Sequence, residues 1–452
     1  MRRPLLIIAV VAALGALGLA AACGGGASSN SPTPAASGTD KTPVTLTVWH
    51  PWTNPEKKVF ETAIQGFTQK YPWIKLKVVG FPDSSTFDQQ LIKAINAGNG
   101  PDVAISFAPD YVGQYAADGL LLDLKPYMTR DNIPADEFAA AARTYTSFKG
   151  KQVVLPVLAD SYGLYYNKDL MAKAGITAPP KTMSELMADA KKLTVRNPDG
   201  SIKIAGFVPL EAWEELDPTD LARAWDGKYF DAQGQPQLSR DPAWANALTW
   251  QKQLVDWYGY DNILKFFSTY TASEFDANNA FQNGKVAMVF DGEWRTAFVK
   301  RYTPKLNYGT APFPAADTMP QIYGVGRVSG TVAGIPRTAP HVDDSWLLVK
   351  YMATDTDFLV TLANGLGNVP TTTAAATSPN LTIMSPQFKT FIDVWNNPQS
   401  SYSPPLTASG AGYATLLLQF NDKWVAGKVP DLHLGLQQVD QQISNQLNLV
   451  AP

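Results

Sequence analysis

The 452-residue sequence is poor in cysteine and histidine, with one of the first and three of the second. A single cysteine has no partner within the chain, so disulfides play no part in its stability. The histidines, His50, His341 and His433, have no metal-ligand partner at helical or hairpin spacing. We therefore predict no metal site and no cofactor.

Three common motifs are also missing: the phosphate-binding GxxxxGK[ST], the zinc-binding HExxH and the nucleophile-bearing GxSxG. Their absence excludes three frequent catalytic frameworks and P-loop ATP binding. Glycoside hydrolysis needs only two carboxylates at a suitable separation, and the chain has 40 acidic residues. A secreted glycoside hydrolase or lyase thus stays an alternative at this point.

The chain has no excess of positive charge, with 37 basic residues and a formal net charge of −3. No electrostatic case exists for a nucleic-acid partner or for an anionic lipid surface. A content of 45% apolar and 17% charged residues is typical of a soluble globular protein, and the length suffices for two lobes with separate cores.

The N-terminus has the pattern of a secretory signal. Arg2 and Arg3 precede an apolar run over residues 5–22 that ends at Cys23. The run Leu-Ala-Ala-Ala-Cys at 19–23 resembles a bacterial lipobox, which implies cleavage after residue 22 and a lipid on Cys23. Residues 23–43 are rich in Gly, Ser, Pro and Thr and predict a flexible tether. The alternatives are an uncleaved membrane anchor and plain secretion.

Strand and helix patterns alternate from residue 44 onward. Residues 44–49, 74–79 and 102–106 favour strands, and the segments between them favour amphipathic helices. This order predicts a parallel sheet covered by helices, with a ligand beyond the C-terminal strand ends. Loops 50–53, 81–85 and 107–110 would then face the same way.

The segment 155–170, LPVLADSYGLYYNKDL, predicts the connection between two halves of the molecule. Asp160 lies between β-prone runs at 153–158 and 163–166, and a helix resumes at Lys168. We expect open backbone around Asp160, which acts as a hinge. After it, Thr182 and Glu185 predict a capping box that begins a second lobe.

Several later segments complete the pattern. They are the block 281–294, FQNGKVAMVFDGEW, with a strand and a Gly-x-Trp turn, the glycine-rich return 322–336, and the stretch 364–371. Together with the hinge, these segments resemble the carbohydrate-type extracellular solute-binding proteins of bacterial ABC importers.

The resemblance implies an α/β, two-lobed periplasmic-binding-protein-like (type II) fold with hinge-linked mixed sheets and a ligand cleft between the lobes. We expect lobe 1 to comprise residues 44–158 and 331–372, and lobe 2 residues 159–330 and 373–452. It further implies a monomer that captures a sugar, delivers it to importer permease subunits and is held at the membrane by its lipid.

A sugar site needs carboxylates or amides for paired hydroxyl groups and flat aromatic rings for the apolar ring face. Trp294, in the Gly-x-Trp turn, and Asp160, at the hinge, are our leading candidates. Trp294 could instead plug a lobe edge, and Asp160 could instead cap a helix or make a hinge hydrogen bond. Further candidate ligand-binding residues are Trp52, Trp213, Tyr162, Asp110, Asp83, Asp291 and Arg327.

Other solutes are less consistent with the loops. A glycerol phosphate would need clustered Arg or Lys, whereas the loops are aromatic and acidic. A peptide or amino acid would need a charge pair for its two termini, and the sequence offers no convincing one.

Overall fold

The computed structural model describes residues 41–81, 84–210, 216–270, 277–402, 404–410 and 412–449. The predicted signal peptide, the proposed lipid site Cys23 and most of the tether lie outside the described residues. So do two candidate site residues, Asp83 and Trp213.

The described chain starts with elements that follow the predicted alternation of strand and helix. In order they are β1 (Val44–His50), α1 (Glu56–Ala63), α2 (Gln65–Lys70), β2 (Ile74–Gly80), α3 (Ser84–Asn96), β3 (Val103–Ser106), α4 (Val112–Ala117), α5 (Lys125–Arg130), α6 (Ala140–Arg143), β4 (Ser147–Phe148), β5 (Lys151–Gln152) and β6 (Leu155–Asn167). A 3₁₀ turn at Pro109–Tyr111 precedes α4, and another occupies Ala135–Glu137.

The second half of the chain is richer in helix. Its elements are α7 (Lys168–Lys173), α8 (Met183–Leu193), β7 (Val195–Arg196), β8 (Ile202–Ile204), α9 (Pro218–Arg223), α10 (Pro242–Tyr258), α11 (Tyr260–Thr269), β9 (Met288–Gly292), α12 (Arg295–Tyr302), β10 (Tyr308–Ala311), β11 (Arg327–Gly334), α13 (Val342–Thr354), α14 (Thr356–Leu366), β12 (Val369–Pro370), α15 (Thr373–Ala376), α16 (Pro386–Asn396), β13 (Ser401–Tyr402), α17 (Gly412–Val425) and α18 (Leu432–Leu449). A 3₁₀ turn lies at Pro320–Ile322.

The main sheet is mixed and has the strand order β10-β6-β11-β3-β1-β2. The strands β1, β2 and β3 pair in parallel, as predicted from the alternation of strands and helices. β11 returns antiparallel between β3 and β6. The chain therefore comes back to the first sheet after building the second half.

The long strand β6 joins the two halves. Its first part pairs with β11 and β12, and its second part pairs with β9 and β10. The predicted break at Asp160 is therefore wrong, because β11 pairs with β6 as far as Ser161 and β9 begins to pair at Tyr162. Continuous ladder hydrogen bonds keep the backbone extended across the junction.

Two large hydrophobic cores divide at this junction, and a small third cluster lies around Tyr165 and Phe391. The first runs from Leu46 to Ala159 and resumes at Val328. The second begins at Tyr162 and is completed by residues of α17 and α18. Two side chains of α16, Phe388 and Trp395, pack in the first core, although our ranges put residues 373–452 in lobe 2.

Local sequence signals fix several element ends. The predicted capping box at α8 is present: Glu185 N–H donates to Thr182 Oγ1, and Glu185 accepts from the Thr182 N–H. Asp217 and Asp220 form a second capping box at α9. Among the described residues, no helix is both long enough and apolar enough to cross a membrane.

Candidate functional site

A cavity of about 340 Å³ lies where loops of the first half, the hinge strands and helices of the second half meet. This volume is within the range of roughly 300 to 1,000 Å³ common for small-molecule sites. The cavity is lined by Phe107, Pro109, Asp110, Tyr162, Asp217, Pro218, Thr219, Tyr229, Arg327, Ser329, Tyr402, Pro404, Ala414, Thr415, Leu417 and Leu418. Three of our candidates, Tyr162, Asp110 and Arg327, are among them.

The hinge strands supply the floor of the cavity. Ser329 of β11 lies directly opposite Asp160 of β6 in the antiparallel register. Opposite residues in a ladder point to the same face, and so do residues two apart along a strand. Asp160 therefore lies on the same face of the sheet as Tyr162 and Ser329, which both line the cavity.

Arg327 is held by two contacts on this floor. Its guanidinium carbon lies 3.6 Å from the ring centroid of Tyr162, a close cation–π contact. Its Nη1 donates to Asp220 Oδ2 at 2.9 Å. Asp220 is almost fully buried, and burial raises its pKa to about 7 although Arg327 opposes the shift. These contacts fix the orientation of Arg327.

Asp110 projects into the cavity from the loop after β3. The hydroxyl of Tyr402 donates to its Oδ1 at 3.2 Å, which joins the first half of the chain to β13. Burial raises the pKa of Asp110, while the positive charge of Arg327 acts in the opposite direction. Asp110 thus supplies the polar part of this wall, near Arg327 on the floor.

The opposite wall comes from the start of α9. Asp217 caps this helix by accepting from the N–H groups of Thr219 at 2.6 Å and Asp220 at 3.1 Å. The hydroxyls of Thr219 and Tyr229 lie 2.9 Å apart. Both hydroxyls and the carboxylate belong to residues that line the cavity, so this wall offers polar groups with one aromatic ring.

The two leading candidates border the cavity rather than line it. Trp294 packs edge-to-face against Tyr162, with ring centroids 5.4 Å apart. Asp160 is half-buried and accepts a hydrogen bond at its Oδ1 from Asn368 Nδ2 at 2.8 Å. Trp294 therefore adjoins the cavity floor through its ring contact with Tyr162. Asp160 adjoins the floor through its position opposite Ser329 in the strand register.

A buried acid and an amide, neither of them among our candidates, lie behind Asp160. Asn368 Nδ2 also donates to Glu293 Oε1 at 3.0 Å, and Ser161 N–H donates to Glu293 Oε2 at 2.8 Å. Burial, and next the charge of Asp160, raise the pKa of Glu293 well above its usual range. One indication of these residues was present in the sequence. Glu293 lies in segment 281–294 and Asn368 in segment 364–371, and both segments resemble the solute-binding family.

Asp291 does not face the cavity. It lies opposite Gly163 in the register and therefore on the other face of the sheet from Tyr162. Its Oδ2 accepts from Arg295 Nε at 2.6 Å in a fully buried ion pair. The structure thus gives Asp291 a place in the interior, where it positions the turn that carries Trp294.

Trp52 is also inside the molecule. It is 4% exposed and stacks on Phe60, with ring centroids 4.9 Å apart. Its backbone N–H donates to His50 Nδ1 at 3.1 Å, and burial lowers the pKa of that imidazole to about 4. Trp52 reaches the cavity only indirectly, through an edge contact with the lining residue Phe107.

The cavity combines flat rings with carboxylate, hydroxyl and guanidinium groups. Phe107, Tyr162, Tyr229 and Tyr402 bring the rings, and Asp110 and Asp217 bring the carboxylates. Such a set suits a ligand with apolar ring faces and several hydroxyl groups. Phe107 and Tyr402 were not among our candidates, although Phe107 falls in a loop expected to face the ligand.

Comparison with known sequences finds binding proteins among the relatives of this chain. The chain is similar to the maltotriose-binding protein of Pyrococcus abyssi, with 26% identity over 74% of this chain and 68% of that protein. It is also similar to the maltodextrin-binding protein of Bacillus subtilis, with 29% identity over 62% of each chain. The chain spans about two thirds or less of the length of these curated relatives.

Solved structures resemble this one over nearly the whole described chain. A structure of CpMnBP1 with mannotriose bound has a TM-score of 0.78 and 28% identity, covering 88% of this chain and 99% of that one. Maltose-bound MalE3 of T. maritima has the same fold, with a TM-score of 0.73, 23% identity and coverage of 89% and 100%. The predicted two-lobed fold is confirmed.

The family model described as "Bacterial extracellular solute-binding protein" matches residues 51–357, which contain the hinge strand, the Gly-x-Trp turn and β11. This match covers well over half of the sequence. The chain therefore belongs to the family of bacterial extracellular solute-binding proteins.

Proposed function

We propose that this protein captures a mono- or oligosaccharide between its two lobes and delivers it to the membrane subunits of an ABC importer. The cavity itself carries the proposal, because its lining combines aromatic rings with paired polar groups contributed by both halves of the chain and by the hinge. The similar proteins support the same ligand class, since their ligands include maltotriose, maltodextrin and mannotriose.

In this proposal the ligand lies on the hinge strands. Tyr162 and Arg327 contact it from the floor, Asp110 and Asp217 bond its hydroxyl groups from opposite walls, and it extends along β6 toward Asp160. Residues two apart in a strand are separated by roughly 7 Å, which is about the span of one sugar ring. Trp294, in contact with Tyr162, would add an apolar surface beside that ring.

We further propose that residues 1–22 are removed and that a lipid on Cys23 holds the protein at the outer face of the membrane. Residues 23–43 would form the tether, 44–158 and 331–372 lobe 1, and 159–330 and 373–452 lobe 2. The protein would act as a monomer, and the closed form would be the one that the permease recognises.

A thermal-shift screen tests the ligand class. Purified protein without its first 40 residues is heated with single saccharides, including maltotriose and mannotriose, and with glycerol phosphate as a control. A saccharide at 100 times its dissociation constant stabilises the folded state by about 2.7 kcal/mol and raises the midpoint. A shift with glycerol phosphate alone would contradict the proposal.

The same samples distinguish capture from catalysis. A binding protein returns its ligand intact, whereas a glycoside hydrolase or lyase produces shorter sugars. We expect chromatography to recover the saccharide unchanged after prolonged incubation. Shortened products that increase with protein concentration would instead support the enzyme.

A further inference from the structure

Three segments that meet beside the junction of the two halves place one polar side chain each at the same point. Asp160 lies on β6, Glu293 follows β9, and Asn368 immediately precedes β12. The side chain of Asn368 donates both to Asp160 Oδ1, at 2.8 Å, and to Glu293 Oε1, at 3.0 Å. A carboxamide nitrogen carries two hydrogens, so these two contacts use both of them.

Glu293, at the buried end of this hydrogen-bond network, is held by the backbone of β6. Glu293 is fully buried, and its second oxygen accepts the backbone N–H of Ser161 at 2.8 Å. The Glu293 N–H in turn donates to the Ser161 carbonyl at 3.2 Å. Because Ser161 follows Asp160 in the strand, the acid that holds the amide is itself fixed to the strand that carries Asp160.

The end of the network at Asp160 is less buried than the end at Glu293. Asp160 is half-buried and lies on the face of β6 that forms the cavity floor, opposite Ser329. Asn368 is 9% exposed, so little solvent competes with its hydrogen bonds. A hydrogen bond to a charged group in such surroundings is worth more than one at the surface. The amide therefore restricts the carboxylate of Asp160 to one orientation.

We propose that Asn368 is a positioning residue for ligand capture, which holds the Asp160 carboxylate toward the cavity while buried Glu293 anchors the amide. This proposal rests on the proposed function, because it takes Asp160 to bond the saccharide. Asn368 does not touch the ligand in this arrangement. It acts through Asp160, and it links that residue to the segment that leads into α12 and to the one that leads into β12.

The titratable groups around the network are few among the described residues. Tyr145 faces it from beyond α6, and burial, with the charges of Asp160 and Glu293, raises the pKa of that phenol far above its usual range. Tyr165 lies on the opposite face of β6 from Asp160, and its hydroxyl donates to the Gly292 carbonyl at 2.8 Å, next to Glu293. Burial also raises the pKa of the Tyr165 phenol far above its usual range, so both phenols stay neutral near pH 7 and add no charge to the network.

The first test compares Asn368→Ala with Asn364→Ala by calorimetric titration of the saccharide that binds the wild type. Asn364 lies four residues earlier and bonds the Asn380 carbonyl and the Thr382 N–H, away from Asp160. We expect Asn368→Ala to weaken binding about tenfold or more, from the lost bond to a charged acceptor, and Asn364→Ala to leave it unchanged. Equal affinities for all three proteins would overturn the proposal.

A pH profile and a double-mutant cycle separate positioning from general destabilisation. Without the amide donor the ionised form of Asp160 is less favoured, so binding by Asn368→Ala should fail at a higher pH on acidification than wild-type binding. The effect of Asn368→Ala on affinity should also largely disappear in an Asp160→Ala background, where the acceptor of this hydrogen bond is gone. If Asn368→Ala reduced affinity by the same factor in both backgrounds, the proposal would be overturned.

Two further measurements apply if Asn368→Ala does not fold or if the wild type binds no saccharide. If Asn368→Ala does not fold, Asn368→Leu keeps the branched side-chain shape, removes both donors without adding a charge and takes its place in the same cycle. A wild type that binds no saccharide contradicts the proposed function. The cycle can then be measured in unfolding free energy, where absence of coupling between positions 160 and 368 would overturn the contact itself.

Discussion

At the scale of single residues, the position of a side chain along a strand decided its role more than its type did. Asp160 and Asp291 are both acids next to the hinge, yet one lies on the cavity face and the other on the opposite face. Strand alternation separates them only once the register is known. The sequence offered the residue types, and the pairing of β6 with β9 and β11 assigned them.

Replacing Trp294 tests the aromatic part of the site. Trp294→Ala removes the ring that packs on Tyr162 and should weaken saccharide binding by about 2 to 4 kcal/mol, from lost apolar burial and ring contact. The control is Trp257→Ala, because Trp257 is 38% exposed and contacts Arg196 on the surface of the second core. Calorimetry that gave the two variants the same affinity would remove Trp294 from the site.

Asp88 gives a prediction about stability that needs no ligand. This buried acid accepts hydrogen bonds from Tyr115 and Ser106, and burial raises its pKa to about 7. Because the folded-state pKa of Asp88 is raised, its contribution to the free energy of unfolding is fully present below the unfolded-state pKa of 3.8. That contribution is lost as the pH rises through about 7.

Urea unfolding at pH 5 and pH 8 measures this effect. Between these pH values the Asp88 contribution falls by about 2 to 3 kcal/mol, so Asp88→Asn should lose less stability than the wild type over the same interval. The exposed Asp118, changed to Asn, is the control and should keep the wild-type pH dependence. Parallel pH profiles for Asp88→Asn and the wild type would contradict the assignment.

At the scale of elements, the turn between β9 and α12 is built around a glycine and an ion pair. A methyl group at Gly292 would overlap the indole of Trp294, so that ring lies directly over the glycine. The buried pair of Asp291 and Arg295 holds the two ends of the turn together. The turn therefore sets the direction of Trp294.

Gly292→Ala tests this arrangement. The variant should fold, because Gly292 has no positive φ, but Trp294 must move, and saccharide affinity should fall by about 1 to 3 kcal/mol. The loss should vanish when Trp294→Ala is already present, since the clash is then gone. Additive losses in the double variant, measured by calorimetry, would show that Gly292 acts elsewhere.

Element prediction from sequence succeeded where local signals were strong. The first three strands and the capping box of α8 are confirmed. The hinge was harder, because the strand β6 is stabilised by β11, which lies more than 150 residues further along the chain. A non-local ladder of this kind leaves no mark in the sequence around Asp160, and neither does the bridge from Asn368.

At the scale of the whole molecule, two cores and one shared strand explain how a ligand could be enclosed. The cores divide between Ala159 and Tyr162, and the cavity lies at the same point. Connections of this kind permit lobes to rotate with little change inside either core. A ligand that contacts both walls would favour the closed arrangement only as far as it binds that form better.

Membrane attachment is a separate property of the whole chain. If Cys23 carries the lipid, Cys23→Ser should move the protein from the membrane fraction of a bacterial culture to the soluble extracellular fraction. Saccharide affinity should be unchanged, because the site lies beyond the tether. Immunoblotting of the fractions follows the release, and mass spectrometry of the wild-type N-terminal peptide that found an unmodified Cys23 would contradict lipidation at this residue.

The central claim is that one ligand is held by both lobes, and a calorimetric titration with variants of opposite walls tests it most directly. Asp110→Asn changes the wall built after β3, and Asp217→Asn changes the wall at the start of α9, where an amide oxygen can still cap the helix. We expect 1:1 binding in the wild type and a loss of about 1.5 to 3 kcal/mol in each variant. Full affinity in either variant would contradict capture between the lobes.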